Sequence, residues 1–228
     1  MPLLLALDTA TDLASIALYD GWRVVAEHSW HSARRHTVEL TPHVDALLTE
    51  SRVRPADLRA VAVATGPGSF TGLRVALSLA KGLTLAVDAA LIGVPTLDVV
   101  AYPHQGQPLT VCAVVQAGRG RLCWGVYRHT EMGWRTVDGF HVNAVDAVAG
   151  RLAELGEPVL CSGEILPENA QRLRALLGDR CALAPPALRL RRAGVLAEIA
   201  WARWQTGDAD DATTLAPIYL HEPAGENA

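Results

Sequence analysis

The sequence predicts an α/β protein of two lobes, in which the order β-β-β-α-β-α-β-α occurs twice. Asp20-Gly21 separates two segments of alternating apolar and polar residues, a pattern typical of a β-hairpin. The apolar run at residues 60–65 leads through a Gly-Pro-Gly turn into a long apolar helical segment, which indicates a buried strand followed by a helix. After residues 102–108, which contain two prolines and a glycine, the same order returns in weaker form. We expect one lobe over residues 1–103 and a smaller, divergent lobe over residues 104–228.

In the first lobe we expect three antiparallel strands, then a helix, and then two strand–helix pairs. The strands are predicted at residues 3–7, 13–19 and 22–30, the helix at 36–51, and the pairs at 60–65 with 71–87 and at 91–94 with 96–101. Pro42 would cost about 3 kcal/mol deep inside a helix, so we expect it in the first turn, with Thr41 as the cap.

The second lobe is predicted to repeat this order in degraded form. Strands are expected at residues 109–115, 122–128, 134–141 and 158–161, and helices at 145–155, 167–177 and 194–204. The duplicated order is that of the actin-like ATPase (ASKHA) fold, a duplicated ribonuclease H-like fold shared by sugar kinases and Hsp70.

Composition argues against several classes of protein. The chain has 20 basic and 24 acidic residues, a net charge of −4, whereas a nucleic-acid clamp is usually strongly basic. The four cysteines have no C-x-x-C spacing, so we interpret them as reduced core residues of a cytoplasmic protein. The apolar region at residues 73–94 contains Lys81, and a central lysine costs roughly 2.5–3.5 kcal/mol in a membrane helix, which argues against a membrane span.

A glycine-rich turn, Gly66-Pro67-Gly68, precedes the apolar helix. Such a turn can simply reverse the chain, with Ser69 or Thr71 as the helix cap, or it can hold an anion at the helix N-terminus. At the end of the first strand, Asp8 with nearby threonines could satisfy backbone groups in a turn or organise magnesium. A nucleotide site would use these residues: Asp8, Thr9, Thr11, Gly66, Gly68, Ser69 and Thr71.

The segment Gly66-Pro67-Gly68-Ser69-Phe70-Thr71-Gly72-Leu73-Arg74 resembles the signature of the bacterial TsaB family, also called YeaZ. Residues 5–11, 81–83, 93–97 and 217–220 resemble further blocks of the same family. The resemblance is specific in the N-terminal half and weak between about residue 127 and the final block.

The resemblance implies a non-catalytic dimerisation subunit that binds TsaD, to which the family is related. The subunit would support threonylcarbamoyl transfer to the adenosine beside the anticodon of tRNAs that read codons beginning with A. A separate synthase would supply threonylcarbamoyl-adenylate, the ATPase TsaE would complete the assembly, and most tRNA contacts would lie on TsaD. We expect no tightly bound cofactor, and ATP or ADP with magnesium at the complex interface is the open alternative. Without its partner the chain is expected to form a homodimer.

The helix predicted at residues 71–87 is apolar nearly all round, while one sheet covers only one of its sides. It is either buried wholly within the monomer or covered in part by a partner, and the resemblance favours the partner. Together with its neighbour at residues 36–51, it would supply these contact residues: Leu40, Val44, Leu47, Gly72, Leu73, Val75, Ala76, Leu79, Ala80 and Leu83.

The alternative function is an actin-like ATPase or small-molecule kinase that uses Asp8 and the glycine-rich loop. The second phosphate loop argues against it, because Gln116 stands where the family usually has an aspartate, and a neutral amide cannot supply the carboxylate's charge. Gly118 and Cys123 also replace the usual arginine and tyrosine of that loop.

A metalloprotease is the third hypothesis. His36, Glu39 and His43 could form a metal face or a solvated helix edge. TsaD has a His-x-x-x-His pair where this chain has Leu97 and Ala101, which cannot bind a metal, so we expect neither a metal nor a catalytic residue. Residues 189–192, Arg-Leu-Arg-Arg, are expected to form a solvated basic turn, with RNA contact as the alternative.

Overall fold

The computed structural model describes residues 2–33 and 35–220, which form two compact units with one five-stranded sheet each. Unit 1 contains the residues up to Val99 together with Arg191–Ile218, and unit 2 contains Val100–Leu190 with Tyr219 and Leu220. We predicted the lobe boundary between residues 103 and 104 and assigned the last helix to the second lobe. In the structure that helix lies in unit 1, because its buried alanines and leucine pack on the first sheet.

Unit 1 begins with the predicted three-stranded meander. Its elements are β1 (Leu3–Asp8), β2 (Leu13–Tyr19), β3 (Val24–His31), α1 (His36–Glu50), β4 (Leu58–Gly66), α2 (Phe70–Val87), β5 (Ala90–Pro95) and α3 (Thr96–Ala101, which ends beyond the unit boundary). The hairpin between β2 and β3 turns at Gly21, which has a φ of 88°. Asp20 Oδ1 accepts bonds from the backbone N–H groups of Trp22 and Arg23, so this side chain closes the turn.

Unit 2 repeats the meander and the strand–helix pair. Its elements are β6 (Thr110–Gly118), β7 (Arg121–Thr130), β8 (Gly133–Ala144), α4 (Val145–Glu154), β9 (Val159–Gly163), α5 (Pro167–Leu177) and β10 (Cys181–Leu183). The last helix, α6 (Ala193–Gln205), packs against β1, β2 and β5 of unit 1.

The two sheets have the same strand order. The first is β3-β2-β1-β4-β5, and the second is β8-β7-β6-β9-β10 when it is read from the corresponding edge. In both sheets the first three strands are antiparallel and the last two run parallel to the central strand. The predicted duplication is therefore confirmed, with β10 as a fifth strand that the sequence pattern did not indicate.

Helix α1 corrects one expectation about Pro42. The helix begins at His36 after a turn in which Arg35 N–H donates to the Ser32 side chain, so Pro42 lies inside the helix and Thr41 is not its cap. Because proline has no backbone N–H, the carbonyl of Val38 lacks its usual helical partner. Both residues are exposed, so water can replace the missing bond. Helix α2 begins as predicted, with Ser69 Oγ accepting from Gly72 N–H at 3.2 Å.

Helix α2 lies on β4 and contributes Ala76, Leu77 and Ala80 to the core of unit 1. Among the described residues it is the one helix with the length and hydropathy of a membrane span. A third of it is buried inside the protein, on the side that packs against β4.

Candidate functional site

Three sequence motifs meet at the carboxyl end of β1 and β4. The strand β1 ends at the fully buried Asp8, β4 ends at the glycine-rich loop before α2, and Ile218 N–H donates to Thr65 O at 2.7 Å. A Cβ at Gly66, which has a φ of +109°, would lie 2.7 Å from Ile218 O. The turn after β1, the loop before α2 and the C-terminal Pro-Ile motif therefore form one packed junction.

Asp8 is bonded by a buried arginine from the start of α6. Arg191 Nε donates to Asp8 Oδ2 at 2.8 Å, and Nη2 donates to Thr11 Oγ1 and Leu13 O at 2.9 Å each. The side chain of Arg191 is 1% exposed and that of Asp8 is 0% exposed. Ala10 N–H completes the set with a bond of 2.9 Å to Asp8 Oδ1. The negative charge of Asp8 is thus compensated inside the protein by a guanidinium group.

The turn after β1 also lies directly on the first turn of α2. Thr9 Oγ1 donates to Gly72 O at 2.7 Å, and Ser69 N–H donates to Ala10 O at 2.6 Å. Added Cβ atoms at Gly68 and Gly72 would overlap the carbonyl oxygens of this turn. The structure therefore brings most of the predicted nucleotide residues together, and the polar groups of Asp8, Thr9, Thr11 and Ser69 bond neighbouring backbone or Arg191. Thr71 is the exception, since it is exposed and lines the surface between α1 and α2.

His36 borders this junction. Its side chain is buried, and its Nδ1 has no hydrogen-bond partner among the described residues. Burial lowers the pKa of His36 below its usual value, with partial compensation from the charges of Asp12 and Glu39. The folded chain therefore binds a proton at His36 less readily than the unfolded chain does. As a result, we expect the free energy of unfolding to fall as the pH drops below the ordinary pKa of histidine.

We expect Gly72→Ala to destabilise the protein by about 1–3 kcal/mol or more, because the new methyl group meets backbone rather than a movable side chain. Gly82 lies in the same helix with open space around it, so Gly82→Ala is the matched control and should stabilise by about 0.5–1 kcal/mol. Denaturant unfolding of both variants measures the difference. Equal effects of the two substitutions would contradict the close packing of the junction.

In unit 2, the loop between β6 and β7 corresponds to the turn after β1, and Gln116 lies in β6 just before it. Its Nε2 donates to Glu164 O at 2.6 Å, so the amide ties the end of β6 to the end of β9. Gly118, Arg119 and Gly120 all have positive φ and form the tight turn between β6 and β7. Gln116 therefore has a structural partner at the position where the related family usually has an acid.

The structure corrects the set of predicted contact residues. Seven of the ten are buried within unit 1 and present almost no surface to a partner: Leu40, Val44, Leu47, Gly72, Leu73, Ala76 and Ala80. Val75, Leu79 and Leu83 are partly exposed. The small residues at a spacing of four serve the approach of α2 to its own sheet, as the contact of Gly72 with Thr9 demonstrates. The free face of α2, the side turned away from the sheet, contains the exposed residues Arg74, Ser78 and Leu85.

That free face borders a groove of about 610 Å³ between α1 and α2. Its floor contains Val75 and Leu79, and Ser78 lies exposed beside them. At one end Phe70 is 54% exposed, with the guanidinium of Arg74 3.6 Å from the centre of its ring. Outside the groove, Leu85 of α2 and Val38 of α1 are large apolar side chains that are 77% and 61% exposed.

The candidate metal ligands do not converge. His36 is buried, Glu39 accepts a bond from Trp30 Nε1 at 3.1 Å, and the ring of His43 lies 4.2 Å from that of Trp30. Within residues 2–33 and 35–220, no three His, Cys, Asp or Glu side chains are grouped so that they could hold a metal ion. Leu97 and Ala101 are both fully buried.

The basic segment 189–192 is an anchor and not a solvated turn. Arg191 enters the core, and Arg192 Nε donates to Glu27 Oε2 at 2.9 Å on the surface of β3. The role of Arg191 was missed because its partners lie about 180 positions away in the chain. One signal was available in the sequence: a carboxylate at the end of a buried strand needs a cation, and Arg191 stands two positions before an apolar helix.

Comparison with known proteins gives consistent results. The family model for TsaD, tRNA N6-adenosine threonylcarbamoyltransferase, matches residues 26–173. The chain is 32% identical to the tRNA threonylcarbamoyladenosine biosynthesis protein TsaB of Escherichia coli over 81% of this chain and 82% of the relative. It is 29% identical to the TsaB protein of Bacillus subtilis, over 95% of this chain and 93% of the relative.

Among solved structures, YeaZ from Pseudomonas aeruginosa matches with a TM-score of 0.75 and 28% identity, over 96% of this chain and 100% of that one. A ROK hexokinase from Thermus thermophilus matches with a TM-score of 0.51 at 12% identity, over 89% of this chain and 99% of that one. The second likeness concerns the fold alone, and it confirms the predicted actin-like architecture.

Proposed function

This chain belongs to the TsaB family, and we propose that it is a non-catalytic subunit that binds TsaD and supports threonylcarbamoyl transfer to tRNA. Its relatives are named for tRNA threonylcarbamoyladenosine biosynthesis, and the chain takes part in that pathway. In the proposed role the reaction occurs on TsaD, at the adenosine beside the anticodon of tRNAs that read codons beginning with A.

The exposed apolar face of α1 and α2 carries the proposal. Phe70, Leu85 and Val38 are large apolar side chains with more than half of their surface exposed, and all three lie on the two helices that border the groove. We interpret these side chains, together with the groove, as a surface for protein contact. A specific contact buries roughly 1,600 Å² in total, which is more than the groove alone supplies, so the exposed ends of both helices would take part.

The closed junction supports the non-catalytic part of the proposal. Asp8 is paired with Arg191, and the first turn of α2 is bonded to the turn after β1. A charged phosphate at this place would have to displace backbone contacts and a buried ion pair. We therefore propose that this chain holds no nucleotide tightly by itself, and that any ATP or ADP with magnesium is bound where TsaD contributes residues.

The remaining partners follow from the same role. TsaE is proposed as the third subunit, a separate synthase supplies threonylcarbamoyl-adenylate, and tRNA reaches this chain mainly through TsaD. With a net charge of −4 the chain offers little general attraction for RNA. Without TsaD, the exposed face is proposed to pair with a second copy through an overlapping surface, in the cytoplasm where the tRNA is modified.

Reconstitution tests this function directly. Cognate synthase, TsaD, TsaE and substrate tRNA are combined with threonine, bicarbonate and ATP, and modified adenosine is measured by mass spectrometry with and without this chain. We expect modification only when the chain is added, and none from the chain without TsaD. Equal modification in its absence would contradict the accessory role and would favour the kinase or ATPase alternative.

A further inference from the structure

Unit 2 contains a second concave site that the proposed function does not use. It is a pocket of about 370 Å³ between α5 and the segment that follows β10. Ile165, Ala170 and Leu183 supply aliphatic walls, and Arg174 and Arg189 line the same space. No Asp or Glu is among the described residues that line it. The volume and the apolar walls with few polar groups are typical of small-molecule sites.

Neither of the two arginines forms an ion pair with a carboxylate of the described residues, in contrast to Arg172 on the same helix as Arg174. Arg189 donates one long bond from Nη1 to Ile165 O at 3.4 Å, while its Nε is buried and has no acceptor among the described residues. Two positions before Arg174 on α5, Arg172 is held by Asp146 through bonds of 2.6 and 2.7 Å. Within the described part of the chain no carboxylate forms an ion pair with Arg174.

Two guanidinium groups in one pocket raise its positive potential. An anion between them would compensate both charges. Guanidinium groups match the planar geometry of carboxylates and the oxygens of phosphates. The aliphatic walls would meanwhile contact an apolar body attached to the charged group.

We propose that this pocket binds a small organic anion, whose carboxylate or phosphate group contacts Arg174 and Arg189 and whose short aliphatic body contacts Ile165, Ala170 and Leu183. The pocket consists of residues of unit 2 alone, so it is independent of the α1–α2 face and of the tRNA-modification role.

Nuclear magnetic resonance of the full chain tests the site. The methyl groups of Ile165, Ala170 and Leu183 report occupancy while 4-methylpentanoate, isobutyl phosphate or the neutral 4-methylpentanamide is added. We expect saturable shifts at these methyls with at least one acid, at a Kd of about 10 mM or lower, and none with the amide. The acid that binds more tightly identifies the anion as a carboxylate or a phosphate.

Substitutions separate this site from general attraction to basic residues. Arg174→Gln and Arg189→Gln should each weaken binding by about tenfold or more. Arg174 is exposed, so its substitution should leave the fold intact, and Arg180→Gln is the matched control on an arginine outside the pocket. Ala170→Leu should block the site while both charges remain.

Three results would overturn the proposal. The first is the absence of saturable shifts with either acid up to about 50 mM, five times the weakest expected Kd. The second is equal binding of the amide. The third is unchanged binding by the folded Arg174→Gln variant, which would mean that the bound molecule's charged group does not contact Arg174.

Discussion

Replacing Arg191 with methionine is expected to lower the free energy of unfolding by about 3–5 kcal/mol. The substitution keeps most of the side-chain volume but leaves the carboxylate of Asp8 buried without its cation. It also removes the donors to Thr11 Oγ1 and Leu13 O, which hold the turn after β1. Denaturant unfolding monitored by tryptophan fluorescence measures the loss, because Trp201 of α6 packs against Tyr19 at the end of β2.

The neighbouring arginine is a natural control. Arg192 pairs with Glu27 on the surface, where its side chain is 53% exposed, so Arg192→Met should cost no more than about 1 kcal/mol. Replacing both members of the buried pair, Asp8→Asn with Arg191→Met, removes the uncompensated charge and should recover part of the stability. A loss below about 1 kcal/mol for Arg191→Met alone would mean that the buried pair does not form.

Local patterns were sufficient to predict most elements of the fold. Helix α5 begins and ends where expected, because Pro167 stands at its first position and Gly178 follows its last. The hairpin at Asp20-Gly21 could also be predicted, because a turn residue whose side chain bonds the neighbouring backbone is a local signal. Strand β10 was missed because three residues are too few to establish an alternating pattern.

Long-range contacts could not be predicted in this way. The partners of Arg191 are set by how α6 returns to the first sheet, and no local pattern encodes that return. The assignment of residues 104–228 to one lobe assumed that the chain stays in the second lobe once it has entered it. The apolar face of α6 is instead used to cover β1 and β2.

Which side of α2 is exposed is the second feature that could not be predicted from the sequence. Apolar residues occur nearly all round this helix, so their spacing cannot tell which side meets the sheet. The structure resolves this through Ala76 and Ala80, which are fully buried, and through Ser78, which is exposed beside the groove. A charge at Ala76 would therefore disrupt the core, whereas a charge at Ser78 reaches only the surface.

Ser78→Arg is accordingly expected to weaken pairing with TsaD by at least about 100-fold while the chain stays folded. An exposed helix position accepts arginine at little cost, because arginine is a good helix former. In a complex that covers the groove, however, the same side chain would bring an uncompensated charge into an apolar contact between α1 and α2. Calorimetric titration of TsaD with each variant measures the change in Kd, and gel filtration measures homodimer formation.

Gln171→Arg provides the matched control, since it introduces the same side chain at an exposed position of α5 in unit 2. We expect this variant to bind TsaD like the unaltered chain. Unchanged pairing by a folded Ser78→Arg protein would exclude the α1–α2 face as the contact surface, even if the chain proved necessary for tRNA modification. Loss of the homodimer together with TsaD binding would instead indicate that both partners use this face, since one exposed serine cannot otherwise affect two separate surfaces.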